Sequence, residues 1–399
     1  MTDSASRANG IAFDPPEEAL AGSGPQAFFL LAALYGALVL VLWIVVFRLQ
    51  PAEAVPPIMW HAHEMIYGFA AASAAGLLIA MIPSWSGAPP ISQARIIGLA
   101  TIWLLGRLAM TGSALLPGWL VAVADLAFLP AFAGFVIVPL LTARIERNLP
   151  LLVMFAVLTL GNALMQSELA GWSFEVAERG ARIGIDVYLL LIAVIGGYRI
   201  PALTNHALQA SASAVSARSF PTLDRLAIAA MALYLASDAI LGPGSATSTV
   251  ALAAAVLNAA RLWFWCGHHV LHSPIAWGLH LGYLWLIVGL LLEAAAVFSG
   301  IADMAAIHVL SAGTIGTISV ALIARAGLAH HGRAPVAGPV MAVAYGLVSL
   351  AAILRVAALF VPGAFTVLII ASGAVWTFGF AVFLAGYLPM LIEPRGSHL

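Results

Sequence analysis

The sequence predicts an all-α membrane protein, a polytopic helical bundle of about twelve transmembrane helices. Of its 399 residues, 63% are hydrophobic and only 8% are charged, whereas soluble domains carry about 25% charged residues. The apolar runs continue for about 18–25 residues, long enough to cross about 30 Å of hydrocarbon as a helix. Strands of a membrane barrel would instead alternate apolar and polar residues over about ten positions. Helical spans therefore explain the pattern.

Short connections containing Pro and Gly separate the apolar runs. None is long enough to be a linker between domains, so we predict a disordered cytoplasmic tail over residues 1–26 and a single transmembrane domain over residues 27–392. The predicted spans are residues 27–48, 61–83, 94–112, 117–141, 149–167, 183–200, 222–242, 246–265, 274–298, 303–324, 336–360 and 364–391.

Charge and cysteine content exclude several classes of protein. The net charge of −1 gives no basis for binding nucleic acid. Cys266 is the only cysteine, which rules out an intramolecular disulfide and a cysteine-rich metal site. The first residues are polar and acidic, rather than basic and then apolar, so they do not form a signal peptide.

The arginines predict the orientation of the bundle. If the N-terminus is inside, the connections after even-numbered spans hold most of the loop arginines, and the opposite connections hold chiefly Arg179 and Arg182. Positive charge collects on the cytoplasmic side of a membrane. We therefore place both termini in the cytoplasm.

The densest group of chemically capable residues is the stretch 60–65, Trp-His-Ala-His-Glu-Met, at the outer start of the second span. Ionisable groups inside membrane helices are costly and usually functional, and neutral imidazole binds haem iron, copper and zinc. On an α-helix His61, Glu64 and Met65 share one face, whereas His63 points about 160° away from His61. The alternative is a pair of histidines that merely pack near the membrane surface.

Two further histidines lie inside predicted spans. His308 is on the outer side, one turn into the tenth span, and His280 is nearer the cytoplasmic side of the ninth. We expect His61, His63 and His308 to form one outer cofactor site. Small residues, Gly68 and Ala312-Gly313, would let a flat macrocycle approach the backbone there, or would only allow helices to pack closely.

Other polar residues have simpler explanations. His268 and His272 have the spacing of a helical metal site, but they lie at a span end, where exposed histidines are ordinary. Asp186, Asp238 and Glu293 lie in or near spans, where they could relay protons or pair with a buried arginine such as Arg107 or Arg355.

Five ordered stretches resemble those of a known family. They are Trp60 to Met65 with Gly68; Arg179 to Arg182 with Asp186 and Tyr188; Ile195 to Pro201 leading to Thr204-Asn205; Leu279 to Trp285; and His308 to Leu310 with Ala312-Gly313 and Gly316, running to Arg325, His330, Gly332 and Arg333. Together they resemble the NnrS family, polytopic bacterial membrane proteins that contain haem and copper and are linked to the nitric oxide response and denitrification.

The resemblance implies twelve helices in the bacterial inner membrane, bound haem b and, as an alternative or addition, copper. The implied cofactor-binding residues are His61, His63, His280, His308, Arg182 and Arg199, the four histidines being the metal ligands. We expect supporting roles for Glu64, Met65, Asn205, Arg325 and His330. Arg182 and Arg199 would pair with haem propionates in different sites, because guanidinium groups suit carboxylates.

The leading function is a haem b protein that binds or processes nitric oxide or a related species, with an electron donor that the sequence does not identify. A haem-dependent oxidoreductase is one form of this function. The alternative is a membrane transporter of metal, haem or an iron–nitrosyl species, because polar groups inside twelve helices fit a transporter as well. A sensor would need an output domain, and we see none in the sequence.

The predicted orientation has a direct test. A reporter fused after Leu399, and one inserted near Arg144, should both be active in the cytoplasm, because arginine-rich connections are retained there. Periplasmic activity at both positions would reverse the orientation.

Overall fold

The computed structural model describes residues 23–49, 55–86, 90–330 and 338–392. Within these ranges all regular structure is helical, which confirms the all-α class. The long helices are α1, Ser23–Leu49; α2, with consecutive segments Pro57–His63, Glu64–Ala70 and Ala71–Ser86; α3, Gln93–Thr111; α4, with Gly118–Leu126, Phe128–Phe132 and Ala133–Ile137; α5, Val138–Leu169; α6, Ala177–Ala210; α7, Pro221–Leu241; α8, Ser245–Phe264; α9, Pro274–Ala295; α10, with Gly300–His308, Val309–Gly316 and Thr317–His330; α11, Pro339–Phe360; and α12, Phe365–Ile392.

The length and hydropathy of these helices confirm a polytopic membrane bundle. In the described part of the chain, eleven helical stretches are long and apolar enough to cross a membrane. The helix that does not qualify is α7, whose 21 residues include Asp224, Arg225 and Asp238. It nevertheless packs between α6 and α8 as a member of the bundle.

Some boundaries differ from the predicted ones for reasons of backbone chemistry. Helix α2 begins at Pro57 rather than at residue 61, because proline is well suited to the first helical position. Helix α6 continues through Pro201 to Ala210, beyond the predicted end at residue 200, since membrane helices tolerate an internal proline. Helix α1 begins at Ser23, and the part of the predicted tail before it lies outside the described residues.

Three helices form the centre of the bundle. In their membrane-crossing stretches, 83% of α2 and 72% of both α6 and α10 is buried, whereas the other spans are 33–39% buried. These central helices carry most of the motifs predicted to be functional. The motifs therefore lie inside the protein and not against lipid.

Two π-helical segments interrupt the central helices at the histidine motifs. Glu64–Ala70 begins directly after His63, and Val309–Gly316 begins directly after His308. The two segments contact each other across the core. A π-helix bonds each residue to the fifth one along the chain and is frequent at functional sites. The segments change which side chains share a face, which an α-helical pattern cannot predict.

Candidate functional site

Three groups of polar side chains lie at one end of the bundle, the end that the predicted orientation places on the outer side. Most of their members come from the first two turns of even-numbered helices and the last two turns of odd-numbered helices. Antiparallel packing of successive helices brings these ends together. The residues of each group, and the balance of charge inside it, decide what the group can do.

The first group is a sealed network of buried side chains from α1 to α5, consisting of Tyr35, His63, Glu64, Arg107, Asp125, Asn162 and Gln166. Arg107 is its centre: the guanidinium donates to Glu64 Oε1 at 2.7 Å and, through its other terminal nitrogen, to Asp125. The Tyr35 hydroxyl donates to the second oxygen of Glu64. One guanidinium thus joins α2, α3 and α4.

His63 is held in the sealed network by both ring nitrogens. Nδ1 lies 2.9 Å from Glu64 Oε1, and Nε2 lies 3.0 Å from Asp125 Oδ2 and 2.9 Å from Asn162 Oδ1. Asn162 and Gln166 each donate to Asp125 Oδ2 at 2.9 Å. With a proton on both nitrogens, His63 and Arg107 together balance the two carboxylates. The structure therefore gives His63 protein partners on both sides and does not bring it together with His61 and His308.

Glu64 belongs with His63 rather than with His61. Its hydrogen-bond partners in the described part of the chain are His63, Tyr35 and Arg107. The turn from His61 to Glu64 is α-helical, as the prediction assumed, but the Glu64 carboxylate contacts other side chains instead of joining His61 in a common group. Met65, predicted to lie on that face as well, is partly buried.

The second group, the imidazole–guanidinium group, consists of His61 on α2, His308 on α10 and Arg355 on α11. Arg355 lies close enough to both imidazoles to interact with them electrostatically, and His61 and His308 interact in the same way. His61 Nδ1 and Arg355 Nη1 are buried atoms without a hydrogen-bond partner in the described residues. His308 Nδ1 lies 2.8 Å from the Met304 carbonyl and donates to it, so Nε2 carries the lone pair.

The third group is an acidic group around Arg182, drawn from four helices. Arg182 Nη2 lies 2.6 Å from both oxygens of Asp303, and Nη1 lies 3.7 Å from Asp238 and 3.6 Å from Glu293. Asp186 lies one turn further along α6. The predicted pairing of Asp238 and Glu293 with Arg107 or Arg355 is wrong, because the guanidinium that approaches both carboxyl groups is that of Arg182. Carboxylates of the protein likewise surround the guanidinium of Arg182, for which the family resemblance predicts a haem propionate as partner.

Protein side chains fill the space beside the small residues near the histidines. A Cβ on Gly68 would lie 2.8 Å from Arg107 Nη1 and from the Tyr35 ring, and one on Gly313 would lie 3.0 Å from the Trp285 ring. Gly68 therefore makes room for the guanidinium of the sealed network. The expectation that Gly68 and Gly313 make room for a macrocycle stays a prediction.

His280 and Arg199 lie toward the other end of the bundle. His280 Nδ1 lies 2.9 Å from the Ala276 carbonyl, and its ring packs against Gly267 in the connection before α9. Arg199 is buried and lines a cavity of about 50 Å³ between α2, α6, α9 and α10. Along α6, Arg199 is about 25 Å from Arg182, so the two arginines lie at different depths of the bundle.

The remaining predicted residues have varied positions. Asn205 donates to the Ala217 carbonyl at 3.1 Å and accepts from the Ala217 amide at 2.8 Å, so it fixes the connection after α6. Arg325 is buried, and the side chain of His330 lies outside the described residues. His268 and His272 are exposed, as expected at a span end.

The described residues contain no group of three or more His, Cys, Asp or Glu side chains arranged to hold a metal ion. The imidazole–guanidinium group offers two imidazoles. A metal ion held there would need its other ligands from outside this group.

Sequence reasoning missed several members of the groups. Asp125 could have been found, because it is an ionisable residue within an apolar span. Asn162 and Gln166 are four residues apart and so share a helix face, which is a weaker signal. Arg355 was considered only as a partner for carboxylates, and nothing in the sequence placed it beside His61 and His308.

The helices and their buried polar groups define a polytopic membrane protein with functional side chains inside the bundle. Among protein families, the model described as NnrS protein matches residues 19–395. The chain belongs to the NnrS family, which confirms the resemblance of its motifs and implies a role in the nitric oxide response. Comparison with curated proteins gives no match.

Replacing Arg107 with Leu tests the sealed network. The change leaves Glu64 and Asp125 buried without their guanidinium, and breaking a buried ion pair in this way costs about 3–5 kcal/mol. Unfolding measurements in detergent should show that loss. The control is Arg95→Leu, since Arg95 is exposed at the start of α3 and such changes stay within about 0.5 kcal/mol. Equal stability of the two variants would contradict the structural role of the network.

Proposed function

We propose that this membrane protein binds haem b at the imidazole–guanidinium group and that the bound haem binds or processes nitric oxide in the response to nitrosative stress. The observation that carries the proposal is that His61 and His308, from helices far apart in sequence, and Arg355 lie within electrostatic range of one another. Membership of the NnrS family supports the nitric oxide role.

The chemistry of the donor atoms fits a haem. The hydrogen bond from His308 Nδ1 to Met304 fixes the tautomer and leaves Nε2 as a ligand atom, as is usual for metal-binding histidines. The buried Nδ1 of His61 is without a partner in the described residues. His61 and His308 would hold the iron. Arg355 would pair with a carboxylate of the cofactor, in place of the role expected for Arg182.

The positive charge of Arg355 supports a ligand that carries negative charge. In the described part of the chain, the Arg355 Nη1 atom is buried without a hydrogen-bond partner, and no ion pair of Arg355 is found. An unpaired guanidinium inside a membrane protein is costly. Haem carries two propionates, and a guanidinium can bind a carboxylate through two parallel hydrogen bonds.

Two protein imidazoles favour haem over copper as the cofactor. A porphyrin supplies four nitrogen ligands and needs only one or two axial ligands from the protein. A copper ion held by protein side chains would need further ligands, and the described residues hold no cluster of three candidate ligands. When bound, haem supplies an iron centre that would exchange an electron while both imidazoles hold it, and would bind a diatomic molecule only if one imidazole leaves its position free.

The cavity in the core suits a small uncharged molecule. It measures about 50 Å³ and is lined mostly by aliphatic residues, including Ala70 and Ile315 of the two π-helical segments. A single water needs only about 10–15 Å³ on this scale, so a diatomic molecule fits. Nitric oxide is uncharged and can enter from the lipid, and a mostly aliphatic lining whose charged residue is Arg199 would disfavour cations.

Substitution of single histidines tests the haem proposal. His308→Ala should lose haem or change the ferric spin state, because it removes an axial ligand. The measurements are haem stoichiometry and the optical spectrum of each variant in detergent. The triple variant His268→Ala, His269→Ala, His272→Ala is the control and should match the wild type, because all three side chains are exposed.

Two outcomes would contradict the proposal. If His308→Ala keeps wild-type haem while His280→Ala loses it, the haem lies toward the other end of the bundle. If the wild-type protein is colourless after purification with haem supplied, the transporter becomes the better explanation.

A further inference from the structure

The acidic group contains more carboxyl groups than its single guanidinium can balance. Arg182 is approached by Asp303 at 2.6 Å, by Glu178 at 3.5 Å, by Glu293 at 3.6 Å and by Asp238 at 3.7 Å. Both oxygens of Asp303 accept from one guanidinium nitrogen, Nη2. Glu293 and Asp238 lie beyond hydrogen-bonding distance of the guanidinium, so it compensates them only partly.

The carboxyl groups differ in their access to water. The side chain of Glu178 is 72% exposed and that of Asp303 is 21% exposed, so both can be solvated at the outer end of the bundle. Asp186, Asp238 and Glu293 are each at most 3% exposed. The unbalanced negative charge therefore concentrates on the three buried residues, where an isolated carboxylate is most costly.

Asp186 and Asp238 form a carboxyl pair. Both side chains are buried, each lies within electrostatic range of the other, and Asp238 Oδ1 is a buried atom without a hydrogen-bond partner in the described residues. The Oδ2 atom of Asp186 is buried and has no hydrogen-bond partner in the described residues. Two carboxyl groups that share a site cannot readily both ionise.

The charged and polar groups of the acidic group that face the pair come from α6, α7, α9 and α10. Helix α6 supplies Glu178 and Arg182, α7 supplies Tyr234, α9 supplies Glu293 and α10 supplies Asp303. Tyr234 lies within electrostatic range of Glu293. Helix α8 contributes the hydroxyl of Ser248, which donates to the backbone carbonyl of Glu293 at 3.1 Å. Arg182 is the one cation among these groups.

We propose that Asp186 and Asp238, with Glu293 beside them, are a proton-binding site that exchanges with the outer aqueous phase past Asp303 and Glu178. The bound proton removes one of the uncompensated buried charges. Asp303 lies five residues before His308 on α10, so the site is at the same end of the bundle as the imidazole–guanidinium group. The proposal concerns the protein's own carboxyl groups and does not depend on haem.

Infrared spectroscopy of the purified full-length protein tests this site. The wild type at neutral pH should show the carbonyl stretch of a protonated carboxylic acid, and the band should shift in D₂O because the proton exchanges with water. Asp186→Asn and Asp238→Asn should each remove the band. The control is Glu168→Gln, whose carboxylate accepts from the Val176 and Ala177 amides at 2.7 Å outside the acidic group and should keep it.

Asp303→Asn provides a second test at a partly exposed position, where a change of side chain is less disruptive to folding. The variant frees the guanidinium of Arg182 for Asp238 and Glu293, so the band should weaken. An unchanged band in this variant would overturn the proposal. So would a wild-type spectrum without the band, a band that survives both Asn substitutions, or one that appears only after a chelator removes a divalent cation.

Discussion

Charge compensation inside the hydrocarbon layer is the constraint on which this structure depends. A buried ion needs an opposite charge within hydrogen-bonding distance, because its desolvation costs several kcal/mol. Arg107 meets that need for Glu64 and Asp125 at once and thereby joins three helices. Gly68 leaves the space that its guanidinium occupies. The position of α2, which carries both His61 and His63, follows from this contact.

The three polar groups differ in how far protein side chains balance the charge of each group. The sealed network holds two carboxylates, a guanidinium and an imidazole, so it can be neutral without a ligand. The imidazole–guanidinium group has two imidazoles and Arg355 but no carboxylate partner in the described residues, so it suits a metal cofactor that carries acidic groups. The acidic group has an excess of carboxyl groups around Arg182, so it suits a proton. Their different needs explain why neighbouring groups at one end of the bundle would have separate roles.

The sequence predicted the parts of this arrangement that depend on local pattern. Hydropathy predicted twelve helices, and the position of His61 and His308 near the starts of even-numbered spans predicted that they share an end of the bundle. The local sequence pattern could not predict the partner of each charged side chain. Arg182 and Asp303, for example, are on different helices, 121 positions apart. The prediction also assumed an α-helical period where Glu64 starts a π-helical segment. The small residues were ambiguous for a similar reason, since a gap beside Gly68 looks the same in sequence whether a cofactor or Arg107 fills it.

The central claim is that the two histidines of one motif have different tasks, with His63 holding the bundle together and His61 serving the cofactor. The direct test is to measure haem stoichiometry, ferric spin state and unfolding free energy for His61→Ala and His63→Ala in the same detergent. His61→Ala should lose haem or change its spin state. His63→Ala should keep the spin state of the haem it retains but lose about 3–5 kcal/mol of stability, because it breaks a buried charged network. The reverse pattern, with haem lost from a stable His63→Ala protein and an unaltered spectrum for His61→Ala, would contradict the account.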